Sequence, residues 1–143
     1  MLVLKDNHPM LSMVCEEVEH GSDVTELVES MKCTMTKHGG IGLAANQVGV
    51  LKRIIVMKVP KYKGCVINPV ITRHVKNTIV STEGCLSVPG KRVDMKRYNK
   101  IVLEGFDENW NPLKLDLNGK SAFCAQHEID HLNGITIDNQ KEG

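Results

Sequence analysis

An α+β fold with largely antiparallel sheets is predicted by three observations. A helical apolar pattern stands near the start, short β-branched runs fill the middle, and a second helical pattern lies near the end. With 143 residues, 41% hydrophobic and 24% charged, the chain reads as one globular domain over 1–143 with a sizeable core.

After the His8-Pro9 turn, residues 10–20 read as a short helix or an irregular arm. Ser22 or Asp23 can cap the first clear helix, whose apolar positions Val24, Leu27, Val28, Met31 and Met35 recur at helical spacing. Gly39-Gly40 should end it, since glycine tolerates the positive φ of a helix terminus. Arg53 to Val59, Cys65 to Thr72 and Ile79 to Thr82 are short and β-branched, hence strands. Pro89 to Arg97 reads as a compact loop. Lys100 to Phe106 and Leu113 to Leu117 alternate on either side of Asp-Glu-Asn-Trp-Asn-Pro and predict a hairpin. Asn118-Gly119 is a turn, and the last helix runs from about Ser121 to Leu132, closed by Asn133-Gly134.

Composition removes several classes of function. A net charge of +1 makes no electrostatic case for nucleic acid or an anionic membrane. Two Phe, two Tyr and one Trp are too few for a base-stacking platform. No apolar run approaches the ~20 residues that span a bilayer, and the N-terminal segment lacks the pattern of a secretory signal. Five cysteines, at 15, 33, 65, 85 and 124, are odd in number and form no disulfide framework. A reduced, cytoplasmic protein is expected.

The last helix carries Gln126-His127-Glu128-Ile129-Asp130-His131, which contains His-Glu-x-x-His. On a helix the two histidines share a face and can direct ring nitrogens at one ion, with Glu128 beside them to handle a proton. Histidines so spaced can also be satisfied core or surface residues, and a third ligand must come from elsewhere. Glu83-Gly84-Cys85-Leu86-Ser87 places a cysteine beside glycine at a strand end, able to present a thiolate to a metal. A free cysteine is otherwise a small buried hydrophobe. That is the expectation for Cys15, Cys33, Cys65 and Cys124, although Cys124 lies one turn before the histidines and can touch the site. Gly40-Ile41-Gly42-Leu43-Ala44-Ala45 superficially matches a dinucleotide fingerprint, but a helix precedes it and a strand follows, so that reading fails. It is either a tight connection or backbone open to a ligand, ending in the amides of Asn46 and Gln47.

Together, residues 40–47, 83–87 and 126–131 resemble the three signature motifs of peptide deformylase in order, spacing and nearly every letter. The similarity runs from His8-Pro9 to Asp138. It implies a small α+β domain whose antiparallel sheets pack around a central metal-binding helix. It also implies removal of the formyl group from N-formylmethionine on newly made proteins, by attack of a metal-bound water on the formyl carbon. Cys85, His127 and His131 would hold one divalent ion, natively ferrous iron; zinc, nickel or cobalt also suit such donors. Glu128 would serve as general base and acid, with Gln47 and the backbone N–H of Leu86 donating to the developing oxyanion. By the same resemblance Ile41, Phe123, Cys124 and His127 line the methionine pocket. Gly42, Gly84 and Gly90 would leave backbone free to hold the peptide. Glu83 would pair with Arg97 at this peptide site, and Arg92 would meet the peptide chain.

The implied partners are formylated nascent peptides, with transient ribosome contact, and the chain is expected to be a monomer. It stops soon after Ile135-Thr-Ile-Asp138, where many family members continue into a further helix. Short forms of this kind resemble those carried by phages, for which the location would be the host cytoplasm. A metalloprotease would take its third ligand downstream, and no histidine follows Asn133-Gly134. A closed four-ligand binding module would leave Glu128 and Gln47 without purpose.

Overall fold

In the computed structural model, which describes residues 1–5 and 7–137, every pairing between strands is antiparallel. Asp138, the end of the predicted similarity, lies outside the described residues. Among the described residues two α-helices, α1 (Thr25–Lys37) and α2 (Gly119–Leu132), accompany seven strands. β1 (Gly42–Ala44), β2 (Ile54–Val59), β3 (Tyr62–His74), β6 (Lys100–Phe106) and β7 (Pro112–Asn118) form one sheet in the order β1-β2-β3-β6-β7. β4 (Thr78–Cys85) and β5 (Val88–Tyr98) form a separate two-stranded ribbon. The class is α+β, as predicted.

β2 explains the layering. Ile54, Ile55, Val56 and Met57 are all buried, so the strand is covered on both faces and reads as an unbroken apolar run. Ile54 and Val56 pack with Val28, Met31 and Met35 of α1, while Ile55 and Met57 pack with Ala122, Ala125 and Leu132 of α2. The large sheet is therefore held between the two helices. Among the described residues no helix is long and apolar enough to cross a membrane.

Helix α1 starts where Asp23 Oδ1 accepts from Thr25 N (3.0 Å) and ends at Gly39, whose φ of +68° reverses the chain. The predicted arm begins with a single 3-10 turn, Pro9–Ser12, and continues without regular structure apart from a bridge between Glu16 and Lys52. The hairpin turn after β6 is tied by Asp107 Oδ1, which accepts from Asn109 N and Asn111 N at 2.9 Å each.

Three expectations need correction. The segment 89–97 is not a loop but most of β5, and its alternation is carried by charged residues. The glycine-rich stretch contributes the short strand β1 and then a 3-10 turn, Ala45–Val48. Cys33 is exposed, since it faces away from the sheet on α1, whereas Cys15, Cys65 and Cys124 are buried.

The C-terminal end of α2 is secured from outside the helix. Asn46 Nδ2 donates to His131 O (2.5 Å). Cys15 N (2.8 Å) and Arg53 Nη1 (3.2 Å) donate to Leu132 O. These carbonyls would otherwise lack intrahelical partners.

Candidate active site

Helix α2 and the end of β4 bring three donors together. His127 and His131 lie one turn apart on α2, and Cys85 is the last residue of β4. Their donor atoms lie within 4.8 Å of one another. His131 Nε2 stands 3.2 Å from Cys85 Sγ and 3.2 Å from His127 Nε2. A tetrahedral ion with Zn-like bond lengths would put its nitrogens about 3.3 Å apart and sulfur about 3.6 Å from nitrogen. The donor set fits a metal ion on spacing.

It also fits on charge. Burial works against a charged His127, but Glu128 and hydrogen bonds to Cys85 and Glu83 outweigh it and raise its pKa to about 10. That proton must leave before the ring nitrogen can bind an ion, and the negative groups that held it would then face the ion. His131 goes the other way: burial, helped by the charges of His127 and Arg97, pushes it well below its ordinary value and keeps it a neutral donor.

The orientation of His127 is set from behind. Its Nδ1 lies 3.0 Å from Glu83 Oε1, leaving Nε2 for the site. Arg97 grips Glu83 with Nε (3.0 Å) and Nη2 (2.8 Å), and extends Nη1 to Asp130 Oδ2 (2.6 Å). Burial raises the Glu83 pKa, but the bonds from His127, Arg97 and Ser81 and the guanidinium charge overcome it and hold it at about 2.

Glu128 is buried and its Oε1 has no hydrogen-bond partner among the described residues. Burial raises its pKa to about 7, against the pull of His127. Gly42 makes room for it: a Cβ there would collide with Glu128 Oε2 and lie 2.7 Å from Cys124 Sγ. Gln47 is fixed by Ala44 N donating to its Oε1 (2.9 Å), while its Nε2 points to Ser87 Oγ (3.1 Å) and Cys85 Sγ (3.5 Å).

These groups meet at the floor of an open cleft of about 890 Å³. Cys85, His127, Glu128 and Gln47 reach it, and Leu86 follows Cys85 along its wall. Ile41, Gly42, Phe123 and Cys124 line it, as do Gly84, Gly90 and Arg92. Glu83 lines it as well, although its carboxylate is taken up by Arg97 and His127. Three contributors went unread in the sequence. Ser87 and Asp130 lie inside the motifs yet drew no role, and Asn46 was noted only as an amide. Lys5, His38 and Lys120 at the edge carried no signal beyond their charge.

Two imidazoles and a thiolate beside a buried carboxylate, open to a cleft, are the equipment of metal-dependent hydrolases. The sequence profile described as polypeptide deformylase matches residues 1–142, and the chain belongs to that family. It is 41% identical over 132 residues to peptide deformylase 2 of Streptomyces avermitilis, covering 88% of this chain and 71% of the relative. A crystal structure of PDF from the Vibrio parahaemolyticus bacteriophage VP16T in complex with actinonin is 59% identical, with a TM-score of 0.94 over 95% of this chain and 99% of that one. A Met-Ala-Ser-bound peptide deformylase from Acinetobacter baumannii is 27% identical, with a TM-score of 0.89 over 96% of this chain and 95% of that one.

Proposed function

We propose that this chain removes the formyl group from N-formylmethionine at the start of nascent proteins. The observation that carries this reading is the cluster of Cys85, His127 and His131 with Glu128 beside it on the cleft floor. When bound there, a divalent ion supplies the Lewis acidity that makes water nucleophilic near neutral pH and polarises the formyl carbonyl. Iron(II) is the native ion in this reading, and zinc, nickel or cobalt could replace it.

The chain's own residues do the rest. The Glu128 carboxylate takes a proton from the attacking water and returns it to the leaving amine; its burial favours holding that proton between the two steps. Gln47 Nε2 and the backbone N–H of Leu86 donate to the formyl oxygen as it gains charge, each worth roughly 3 kcal/mol. Glu83 keeps His127 turned toward the ion, and Arg97 keeps Glu83 ionised. Ile41, Phe123, Cys124 and His127 enclose the methionine side chain, while Gly42, Gly84, Gly90 and Arg92 hold the peptide. This reading places the enzyme in the cytoplasm as a monomer in transient contact with the ribosome.

Formate release from formyl-Met-Ala under anaerobic, iron-loaded conditions tests it. Glu128→Ala should lower kcat about 10²–10⁴-fold with its metal retained. Cys85→Ala should lose most metal without unfolding. A parent that releases no formate, or a Glu128→Ala variant that matches it, ends the proposal.

A further inference from the structure

A cleft of about 890 Å³ stands near the upper limit for small-ligand sites and exceeds what one formyl-methionine fills. Its outer part must take the chain that follows. The basic side chains there come from separate elements: the cations Lys5 from the N-terminal arm, Arg92 from β5 and Lys120 from the first turn of α2, with the imidazole of His38 just past α1. All four are exposed. Arg92 is held against the wall by Nη2 donating to Thr82 O (3.0 Å).

Among the described residues, no carboxylate lines this rim. Among the described lining residues the carboxylates are Glu83 and Glu128, 9% and 4% exposed, both on the floor. Asp94 lies outside the lining and accepts from Thr82 Oγ1 (2.6 Å). The whole chain balances 18 Lys and Arg against 17 Asp and Glu, so the imbalance is local. Helix stability does not account for Lys120. The first turn of α2 contains no acid, and a cation there opposes the helix dipole.

Resting on the deformylase reading, we infer that the rim of Lys5, Arg92 and Lys120 selects formylated peptides with acidic residues at the third and fourth positions. Carboxylates there would lie within about a Debye length of the rim, where each exposed contact is worth roughly 1.5- to 5-fold. The selection acts on binding, because these charges stand outside the reacting atoms.

The metal-loaded enzyme is assayed on formyl-Met-Ala-Glu-Glu, formyl-Met-Ala-Gln-Gln and formyl-Met-Ala-Lys-Lys. The expected order of kcat/KM is acidic, neutral, basic, with about 3- to 10-fold between the extremes, carried by KM and shrinking as salt rises. A Lys5→Glu/Lys120→Glu double variant should abolish or reverse that order. Equal kcat/KM for the three peptides, or an order unchanged in the double variant, overturns the inference. If none of the peptides is hydrolysed, the deformylase reading fails by itself. Calorimetric titration of the same peptides then decides the rim: tighter acidic binding supports it, and equal binding overturns it.

Discussion

The large sheet and the β4–β5 ribbon meet at the same cleft but are held in place by different forces. In β2 and β3 the inward positions are Ile54, Ile55, Val56, Cys65, Val66 and Ile67, all fully buried. In the ribbon, Ile79 and Val80 are 47% and 64% exposed, while Ser81, Glu83 and Arg97 are buried. Its own buried apolar cluster is small, Val88, Met95 and Ile137 flanked by Cys85 and Val93, and only the partly buried Leu86 and Tyr98 reach the larger clusters. Apolar burial thus positions the histidines and Gln47, whereas the thiolate is positioned mainly by polar bonds from the ribbon to α2: Arg97 to Asp130, Glu83 to His127, and the Tyr98 backbone to Gln126. Non-directional packing builds a rigid body, but directional charge contacts set the angle at which the ribbon offers Cys85 to it.

The most severe break is Arg97→Ala. It takes the guanidinium away from two carboxylates, one of them buried, and should cost about 3–5 kcal/mol. Hydrogen exchange should rise first across 78–98 while the large sheet stays protected; a uniform rise across both sheets would erase the distinction. Next comes a pair of apolar truncations. Leu103→Ala, in the packed sheet, should cost about 2–5 kcal/mol and be felt throughout. Met95→Ala, in the small cluster, should fall at or below the lower end of that range, with opening confined to the ribbon. Equal costs in denaturant titrations would mean the ribbon shares the main core.

The mildest test is acid. The Glu83 carboxyl sits at about 2 in the folded chain against an ordinary 4.5, so its ionised form is favoured by folding. That stabilisation is complete above pH 4.5 and is lost as pH falls toward 2. By pH 3.5 the loss should be on the order of 1 kcal/mol. Glu83→Gln should flatten this part of the stability profile, and an unchanged slope would assign the acid response to other groups.

The same contrast governs how much the sequence disclosed. Where burial is apolar, periodicity works: α1, α2 and the hairpin of β6 and β7 fall close to their predicted bounds. Where burial is polar, it fails. Lys91, Arg92, Asp94 and Lys96 look like a solvated loop, because the pattern that makes β5 a strand places Arg97 inside and isoleucine and valine outside on its partner. β1 escaped for another reason: Gly42 is set by the approach of Glu128 and Cys124, which are distant in sequence. The donor trio was legible because its chemistry is local to two short motifs. Asp130 was not, since its role depends on where the ribbon docks.

The final turn of a helix is ordinarily where it comes apart, and His131 stands there. Donors from Asn46, Cys15 and Arg53 grip that turn through the carbonyls of His131 and Leu132. The spacing between the two rings is thereby settled before any ion arrives, and capture need not immobilise a frayed end. Affinity for the ion is in this sense stored in three hydrogen bonds to backbone carbonyls that never touch it.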